Sequence, residues 1–423
     1  MSPRKRVLLS AFACEPYKGS EPEVGWQWAM QISRFHNVTV LTRHQYRAPV
    51  EKVLKTLPAD RPKPEFVYFD LPQWTQRLGK GSVGLRTYYV FWQKKAHRII
   101  RELHREKPFD LMHHVTFATF RYPTAIWGHG VPSIWGPIGG IESSPPKLFP
   151  WEHPTSLAVE VFRNLNNWIQ AAPFAKLPKR AAASTKTLVS TMEMQRALAK
   201  FGFESQLMPT IGLETEKLSH QSHRQSEGPL RLLFVGKLIA LKGIDLGLRA
   251  LSASGTNATL TLVGTGNYEA AARSTAKNLG LGERVEFLGQ LTREKVLKLY
   301  GEFDVMLFPS LHDTGGFAVI EAMFNELPVI CLDCAGPAVA VREGCGVKVS
   351  VQQDRQRVID DLADGIRRYD QDRQLLLSHG RAARQSILEH YDWEKKGNQM
   401  SEVYQEILGE TRVEQPTLEQ RER

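Results

Sequence analysis

Residues 304–332 read DVMLFPSLHDTGGFAVIEAMFNELPVICL, and their pattern indicates the fold class. An apolar strand ends at Pro309, a glycine-containing loop follows, a helix pattern begins near Phe317, and a second apolar strand ends the stretch. Strand, loop, helix and strand in this order are typical of two parallel strands joined by a crossover helix. Parallel sheets are covered by helices on both faces, so the stretch predicts an α/β fold.

The same alternation continues along the chain in both directions. Strand patterns such as NVTVLTR (37–43) recur through the first half, and RLLFVG (231–236) begins a second series. The polar stretch SHQSHRQSEGP (219–229) separates the two series. We therefore predict two doubly wound domains, over residues 1–212 and 213–390, with a hinge between them.

Length and composition indicate an ordinary globular protein. The chain has 423 residues, of which 42% are hydrophobic and 24% charged, which is enough for two buried cores. No run of 18 uninterrupted apolar residues occurs, so we expect no membrane span. Residues 411–423 have no apolar face and are expected to form a disordered tail. The few cysteines favour a reducing, cytoplasmic compartment; they are Cys14, Cys331, Cys334 and Cys345.

The net charge of +10 is concentrated in the first half. Residues 1–220 hold 30 Lys and Arg against 17 Asp and Glu, whereas residues 221–423 hold 25 against 28. This asymmetry favours an anionic partner, which could be a phosphorylated substrate, a nucleic acid or an acidic lipid surface. Charge alone does not choose among the three.

Ligands of open parallel sheets bind beyond the carboxyl ends of the strands, so the loops after the strands are informative. In FVGKLIALKG (234–243), Gly236 ends a strand and Lys237 and Lys242 precede a helix pattern. Two cationic side chains five residues apart around such a loop can converge on one pyrophosphate. The alternative is a pair of solvated surface lysines.

A second loop carries glycines into a helix. Its residues are Asp313, Thr314, Gly315 and Gly316, and the helix pattern starts at Phe317. Two glycines let backbone N–H groups approach an anion at a helix N-terminus, where the helix dipole favours negative charge. Glu321 lies about one turn inside the helix, so acidic groups can face ligand hydroxyls at both ends. The alternative is a capping aspartate and a surface glutamate.

Two loops of the first half are further candidates. Gly19 and Ser20 follow the first strand, and Ser20 is expected to cap a helix in which Glu23 takes the capping-box position. The alternative is a plain strand-to-helix turn. His113 and His114 end another strand, and neighbouring strand residues point to opposite faces, so one histidine can face the cleft.

These residues resemble those of the retaining, metal-independent glycosyltransferases of the GT-B fold, specifically the bacterial glycosyltransferase group 1 family. HDTGGFAVIEAM (312–323) and LPVICLDCAGPA (327–338) are similar to its acidic-x7-acidic donor motif and the Gly-Pro loop after it. The resemblance extends over nearly the whole chain, to YDWEKKGNQMSEVYQEI (391–407). It implies two Rossmann-like domains facing across a cleft, with a C-terminal helix over residues 391–410 crossing back to the first domain.

The resemblance also implies roles for single residues of the second domain. Asp313 matches the acid that contacts hydroxyls of the transferred sugar, although the family usually has glutamate there. Glu321 matches the acid that holds the nucleotide ribose. Lys242 matches the family lysine and Lys237 stands where arginine is usual; both would neutralise the diphosphate, Lys237 without the bidentate fork of a guanidinium.

In the first domain, Gly19 and Ser20 stand where the family often has two glycines close to the phosphates. Either His113 or His114 matches the family histidine, and the sequence does not say which. The implied activity moves a sugar from a nucleotide sugar, such as a UDP-sugar, to a hydroxyl of a carbohydrate or lipid-linked acceptor, with retention and with no metal or other cofactor. The implied setting is bacterial cell-surface polysaccharide or glycolipid biosynthesis.

Two other functions stay open. A nicotinamide-dependent oxidoreductase could be built on two Rossmann-like units, but Gly264-x-Gly266 is only a fragment of a dinucleotide fingerprint. A catalytically idle relative that only binds is suggested by Asp313 and Lys237, which replace the commoner residues. Cys331-x-x-Cys334 is interpreted as packing, and Asp370-Gln371-Asp372 as a surface turn without metal.

Two stretches, 91–107 and 158–180, combine cationic with aromatic or aliphatic residues at helical spacing. Such a face can bind an anionic membrane surface, which would place the protein peripherally at the inner face of the cytoplasmic membrane. The alternative is a pair of solvated helices. We expect no nucleic acid partner, because neither stretch belongs to a recognisable nucleic-acid-binding fold.

Overall fold

The computed structural model of the chain describes residues 4–72, 75, 81–149, 154–170, 176–218, 220 and 228–410. Within these residues the chain forms two parallel sheets, each covered by helices. The predicted tail, 411–423, and most of the polar stretch 219–229 lie outside the described residues.

The first sheet has seven parallel strands in the described part of the chain. They are β1 (Arg6–Ala11), β2 (Asn37–Arg43), β3 (Glu65–Phe69), β4 (Leu111–Thr116), β5 (Ser133–Ile138), β6 (Lys186–Val189) and β7 (Gln206–Leu207). Their order across the sheet is β3-β2-β1-β4-β5-β6-β7. The helices described in this part are α1 (Ser20–Ser33), α2 (Arg47–Thr56), α3 (Gly81–Glu106), α4 (Pro154–Gln170), α5 (Lys176–Ala182) and α6 (Met192–Ala199).

The second sheet repeats this winding with six parallel strands among the described residues. They are β8 (Arg231–Val235), β9 (Thr259–Val263), β10 (Val285–Gly289), β11 (Val305–Phe308), β12 (Val329–Leu332) and β13 (Gly346–Val349), in the order β10-β9-β8-β11-β12-β13. The helices are α7 (Ile244–Ala253), α8 (Glu269–Asn278), α9 (Arg293–Leu299), α10 (Phe317–Phe324), α11 (Ala335–Ala340), α12 (Arg355–Gln371), α13 (Arg373–His390) and α14 (Trp393–Glu410).

Burial of the strands on both faces explains the continuous apolar runs of the sequence. On β1, Leu9 packs into the core that contains α1, and its neighbour Leu8 packs with Tyr89 and Trp92 of α3 on the opposite face. Adjacent strand residues therefore both have to be apolar. The predicted α/β fold with two doubly wound domains is confirmed.

The order of the strands determines where a ligand can bind. The chain winds outward in one direction from β1 through β2 and in the other from β4, and β8 and β11 form the corresponding pair in the second sheet. Such a switch of direction leaves a crevice beyond the carboxyl ends of the two central strands. The loops singled out in the sequence follow β1, β8 and β11, whereas His113 and His114, expected at the end of a strand, lie inside β4.

The last helix, α14, crosses back onto the first domain, as the resemblance implied. The Trp393 ring meets the Trp28 ring of α1 edge to face, with centroids 5.1 Å apart. The guanidinium of Arg34 donates to the Glu394 carboxylate at 2.8 Å. Further along, the Tyr404 hydroxyl lies 2.7 Å from Nδ1 of His113 on β4. The helix thus connects the end of the second domain to the first sheet.

The start of α1 differs from the prediction. Gly19, not Ser20, precedes the helix, and Ser20 makes no capping bond through its side chain. Glu23 does bond back, because its carboxylate accepts from the Gly19 N–H at 2.8 Å. Of the two side-chain bonds of the predicted capping box, only the one to the Glu23 carboxylate is therefore present.

The C-terminal helix supports a prediction about pH. The Lys396 ammonium is buried near the rings of Trp28 and Trp393 and donates to the Pro209 carbonyl at 2.5 Å. Burial lowers its pKa from 10.5 to about 7. Between these values the unfolded chain binds the proton and the folded chain does not, so this group makes stability rise with pH.

When urea unfolding is measured from pH 7 to 10, we expect Lys396→Met to reduce the rise of the unfolding free energy with pH. The reduction corresponds to the binding of at most one proton. The exposed neighbour Lys395 supplies the control, and Lys395→Met should keep the parent slope. Parallel curves for the parent protein and Lys396→Met would contradict the burial of a titrating ammonium.

Candidate active site

A cleft of about 710 Å³ opens between the two domains at the carboxyl ends of the central strands. Its walls come from α1, α3 and the segments after β4 and β5 on one side, and from the loops after β8 and β11 on the other. The predicted residues that line it are Ser20, Gly236, Lys237, Lys242, Asp313, Thr314, Gly315, Gly316 and Phe317. Those that do not line it are Gly19, His113, His114 and Glu321.

The loop after β8 brings its lysines to the cleft through a tight turn. A short 3₁₀ turn, Ala240–Lys242, ends at Gly243, whose φ is +65°. A Cβ at Gly243 would lie 1.9 Å from the Pro309 carbonyl oxygen, so only glycine allows this loop to pack against the end of β11. Lys242 thereby reaches Asp313 and forms an ion pair with its Oδ2. Lys237 is exposed in the same cleft.

Asp313 uses both carboxylate oxygens within the protein. Oδ2 accepts from the Lys242 ammonium, and Oδ1 accepts the Gly316 N–H at 2.8 Å, just before α10 begins. Gly316 adopts φ +68°, the left-handed conformation. We expected the Gly316 N–H to face the anion of a bound ligand. This expectation is wrong, because the N–H donates to Asp313 instead. Gly315, Thr314 and Phe317 still face the cleft.

The Gly-Pro segment after β12, which was expected to be a loop, belongs to α11 and supports the Asp313–Gly316 loop from behind. The Gly336 N–H donates to the Asp313 carbonyl at 2.8 Å. A Cβ at Gly336 would lie 2.6 Å from the carbonyl oxygens of both Asp313 and Thr314. Glycine is required here because two chain segments touch.

Glu321 is buried behind the cleft and has partners of its own. Its Oε1 accepts from Nε and Nη2 of Arg293 at 3.2 and 3.1 Å, and its Oε2 lies 3.3 Å from the Tyr300 hydroxyl. Burial raises the pKa of Glu321, whereas Arg293 lowers it. Nη1 of Arg293 also lies 3.6 Å from Glu23 of the first domain. Arg293 thus links the two domains, which the sequence reading missed.

The two histidines are buried and point to opposite faces of β4, but neither faces the cleft. Nε2 of His113 donates to the Gly136 carbonyl, which can only accept, so Nδ1 accepts from Tyr404. His114 lies 2.9 Å from the Tyr89 hydroxyl through Nε2 and 3.1 Å from Ser10 through Nδ1. Burial lowers the pKa of His113 to about 4 and that of His114 to about 3. Both are neutral at physiological pH.

The first-domain wall contains aromatic and charged residues that the sequence reading did not select. Tyr89 stacks on Phe117, with ring centroids 5.8 Å apart, and meets Tyr122 edge to face at the same separation. Arg121 lines the cleft beside them. Three of these residues directly follow β4, so a systematic reading of the residues after each strand could have found them. Tyr89 lies on α3, and only the tertiary structure places it here.

Glu21 is a second missed residue of this wall. Its carboxylate lines the cleft and accepts the Phe117 N–H at 2.5 Å. Burial raises its pKa, and the bond from Phe117 lowers it. The residue lies in the first turn of α1, next to Ser20. The sequence analysis named Ser20 and Glu23 as capping groups there and did not consider Glu21.

Carboxylates of the first domain also hold the second domain in place. Glu193 accepts the Ala335 N–H at the start of α11 at 2.8 Å. Glu142 accepts from the Thr314 hydroxyl at 3.4 Å, and burial raises the pKa of Glu142. Thr314 therefore connects the loop after β11 directly to the opposite wall.

The signals set aside in the sequence have structural explanations. Cys331 and Cys334 are free and buried. A Cβ at Gly264 or Gly266 would lie about 2 Å from a carbonyl oxygen of the loop after β8, so both glycines serve close packing. Asp372 accepts the Leu375 N–H at the start of α13.

The described residues contain no group of three His, Cys, Asp or Glu side chains that could hold a metal ion. This finding does not test whether the reaction needs a metal ion, so the metal-free site stays a prediction. No helix in the described ranges has the length and hydropathy needed to cross a bilayer.

Two Rossmann-like domains that enclose a cleft, with a final helix returning to the first, define the GT-B class of structures. The fold matches sucrose-phosphate synthase from Thermosynechococcus elongatus with a TM-score of 0.62 and 16% identity, over 96% of this chain and 100% of that one. It also matches Anabaena HepE in complex with UDP and glucose, with a TM-score of 0.57 and 15% identity, over 95% of this chain and 100% of that one. At these identities the likeness establishes the fold alone.

The family model described as Glycosyl transferases group 1 matches residues 215–386, which lie in the second domain. Glycogen synthase of Mycobacterium tuberculosis is 26% identical over 211 residues, which are 49% of this chain and 50% of that protein. The chain thus matches about half the length of this curated relative.

The two contacts of Asp313 can be separated by substitution. Asp313→Ala removes both, whereas Asp313→Asn keeps an oxygen for the Gly316 N–H and loses only the charge opposite Lys242. We expect the alanine variant to lose about 1 kcal/mol more unfolding free energy than the asparagine variant, the usual net contribution of one hydrogen bond. Denaturant unfolding of both variants measures the difference. Equal losses would contradict the role of Asp313 at the start of α10.

Proposed function

We propose that this chain is a glycosyltransferase that moves a sugar from a nucleoside diphosphate donor to an acceptor hydroxyl, with retention of configuration. One observation carries the proposal: Lys237 and Lys242 lie in the same interdomain cleft as the start of α10. The family match of the second domain and the GT-B fold support it.

The cations and the start of α10 suit a diphosphate leaving group. When the donor bond breaks, negative charge accumulates on the phosphate oxygens, and preorganised positive groups stabilise that charge. Lys242 is held by Asp313, so little reorganisation is needed when phosphate arrives. The Gly315 and Phe317 segment adds the positive end of the helix dipole. Because two ammonium groups supply the charge, the proposed reaction uses no metal ion.

We assign the two acids of the second domain to the donor. Asp313 would share its carboxylate between Lys242 and a hydroxyl of the transferred sugar. Glu321 would hold the ribose, for which Arg293 has to release or share the carboxylate. The contact between Arg293 and Glu23 would then change as well, which links donor binding to the arrangement of the domains.

Retention does not require a protein nucleophile in this proposal. The acceptor hydroxyl attacks from the face that the diphosphate leaves, and the leaving phosphate accepts its proton. Tyr89, Phe117 and Tyr122 offer apolar ring surface for an acceptor sugar or lipid. His114 positions the Tyr89 hydroxyl from behind, and we propose no acid or base role for either histidine of β4.

We propose a carbohydrate or lipid-linked acceptor and a role in bacterial cell-surface polysaccharide or glycolipid biosynthesis, at the cytoplasmic face of an anionic membrane. The surplus of positive charge in the first half supports an anionic surface or acceptor.

A panel of UDP-, GDP- and ADP-sugars, with NADH as comparison, tests the function by thermal shift and by donor turnover, each with and without chelator. We expect one nucleotide sugar to stabilise the protein and to be turned over in chelator. Lys242→Ala should lower turnover about a hundredfold or more, the usual cost of losing one group that stabilises developing negative charge. Glu321→Ala should act mainly on KM.

The matched control is Lys295→Ala, an exposed lysine on α9. Full turnover in Lys242→Ala together with an unchanged KM in Glu321→Ala would contradict the assigned site. Stabilisation by NADH alone would favour the oxidoreductase, and donor binding without any turnover would favour an idle relative.

A further inference from the structure

Helix α4 presents its apolar side to solvent. Its exposed large side chains recur at helical spacing along one face, with Phe162 and Trp168 each 73% exposed. The outer face consists of Val159, Val161, Phe162, Leu165, Trp168 and Ile169. A surface helix normally buries such a stripe, so this orientation requires an explanation.

Polar contacts on the opposite side hold the helix in this orientation. Glu160 is buried and accepts from the Ser144 hydroxyl at 2.9 Å and from Arg163. The Asn164 amide donates to the Ser144 carbonyl at 2.7 Å. The Asn167 amide donates to the Glu142 carbonyl at 3.1 Å. Turning the stripe inward would leave these groups without partners, so the outward face is specified.

The surroundings of the helix indicate what covers it. Among the described side chains of α4, none of the exposed ones is charged. Exposed lysines lie beyond both ends, Lys147 before the helix and Lys176 and Lys179 after it. Apolar and aromatic side chains flanked by lysines match the acyl boundary and the headgroups of an anionic bilayer. In a twofold dimer with the helices antiparallel, lysines at one end of α4 would approach lysines at the other end of the copy, so like charges would meet.

The helix also adjoins the cleft. The Asn167 side-chain oxygen accepts from Arg121, and Arg121 lines the first-domain wall. The Arg121 side chain is therefore all that lies between the polar side of α4 and the proposed acceptor region. A surface bound by α4 would lie beside the entrance of that region.

We propose that α4 docks this face on an anionic phospholipid bilayer and so holds the cleft at the membrane surface, where a lipid-borne hydroxyl can enter. Docking follows from the helix itself, whereas the use of a lipid-borne acceptor rests on the proposed function. The two therefore have separate tests.

Flotation with vesicles tests the docking. We expect the full chain to float at low salt with vesicles of phosphatidylglycerol and phosphatidylcholine in equal parts, and not with phosphatidylcholine alone. High salt should weaken binding, because it screens the lysines from the headgroups. The double variant Phe162→Ser, Trp168→Ser should lose at least tenfold in vesicle affinity. Met192→Ser, which changes an exposed apolar residue on α6, should keep it.

Folding and function are checked on the same variants. Both altered side chains are exposed, so the thermal midpoint and its shift by the donor should match the parent protein. Failure to float at any salt, or equal affinity of the double variant, would overturn the proposal. A concentration-dependent dimer that the double variant disperses would overturn it in favour of an interface between copies. Vesicle binding without any donor effect would instead leave docking intact and refute the proposed function.

Discussion

The ion pair between Lys242 and Asp313 is the interaction on which the second-domain wall of the cleft depends. Asp313 binds the ammonium of one loop with one oxygen and, with the other, the N–H of Gly316, the residue just before α10. Gly336 fixes its backbone from behind, and Gly243 lets the lysine loop approach closely. The pair is mostly shielded from water, so its geometry is held more firmly than that of an exposed pair. A cation and a helix start are thereby fixed before any ligand arrives.

The opposite wall is held against this one by carboxylates of the first domain. Glu142 and Glu193 accept bonds from the second domain, and Arg293 lies between Glu23 and Glu321. Helix α14 continues the chain of the second domain and packs on the first, so it also connects the two. These contacts between the domains enclose the cleft. Closure of this kind would exclude water from the proposed donor.

The sequence predicted those features that depend on local pattern. Apolar runs predicted the strands, and the rule that ligands bind beyond the carboxyl ends of parallel strands selected the lysine and glycine loops. Strand β7 escaped because two residues carry little pattern. Strand β13 escaped because its sequence, GVKV, is half glycine and lysine and is only partly buried. Partners distant along the chain could not be inferred: Arg293 binds Glu321 across 28 positions, and Tyr404 binds His113 across 291. The basic stretch 158–180 was interpreted from its residue types at helical spacing. That spacing does not show that Arg163 turns inward to Glu160.

In the proposed reaction a fixed ammonium, without a divalent ion, holds the diphosphate. Titration calorimetry in chelator tests it by comparing the nucleoside diphosphate of the best donor with the corresponding nucleoside, on the parent protein and on Lys242→Met. We predict that the substitution weakens diphosphate binding about tenfold or more, the usual effect of one charged hydrogen bond, and leaves nucleoside binding unchanged. Unchanged diphosphate affinity in the variant, or binding that requires a divalent ion, would contradict it.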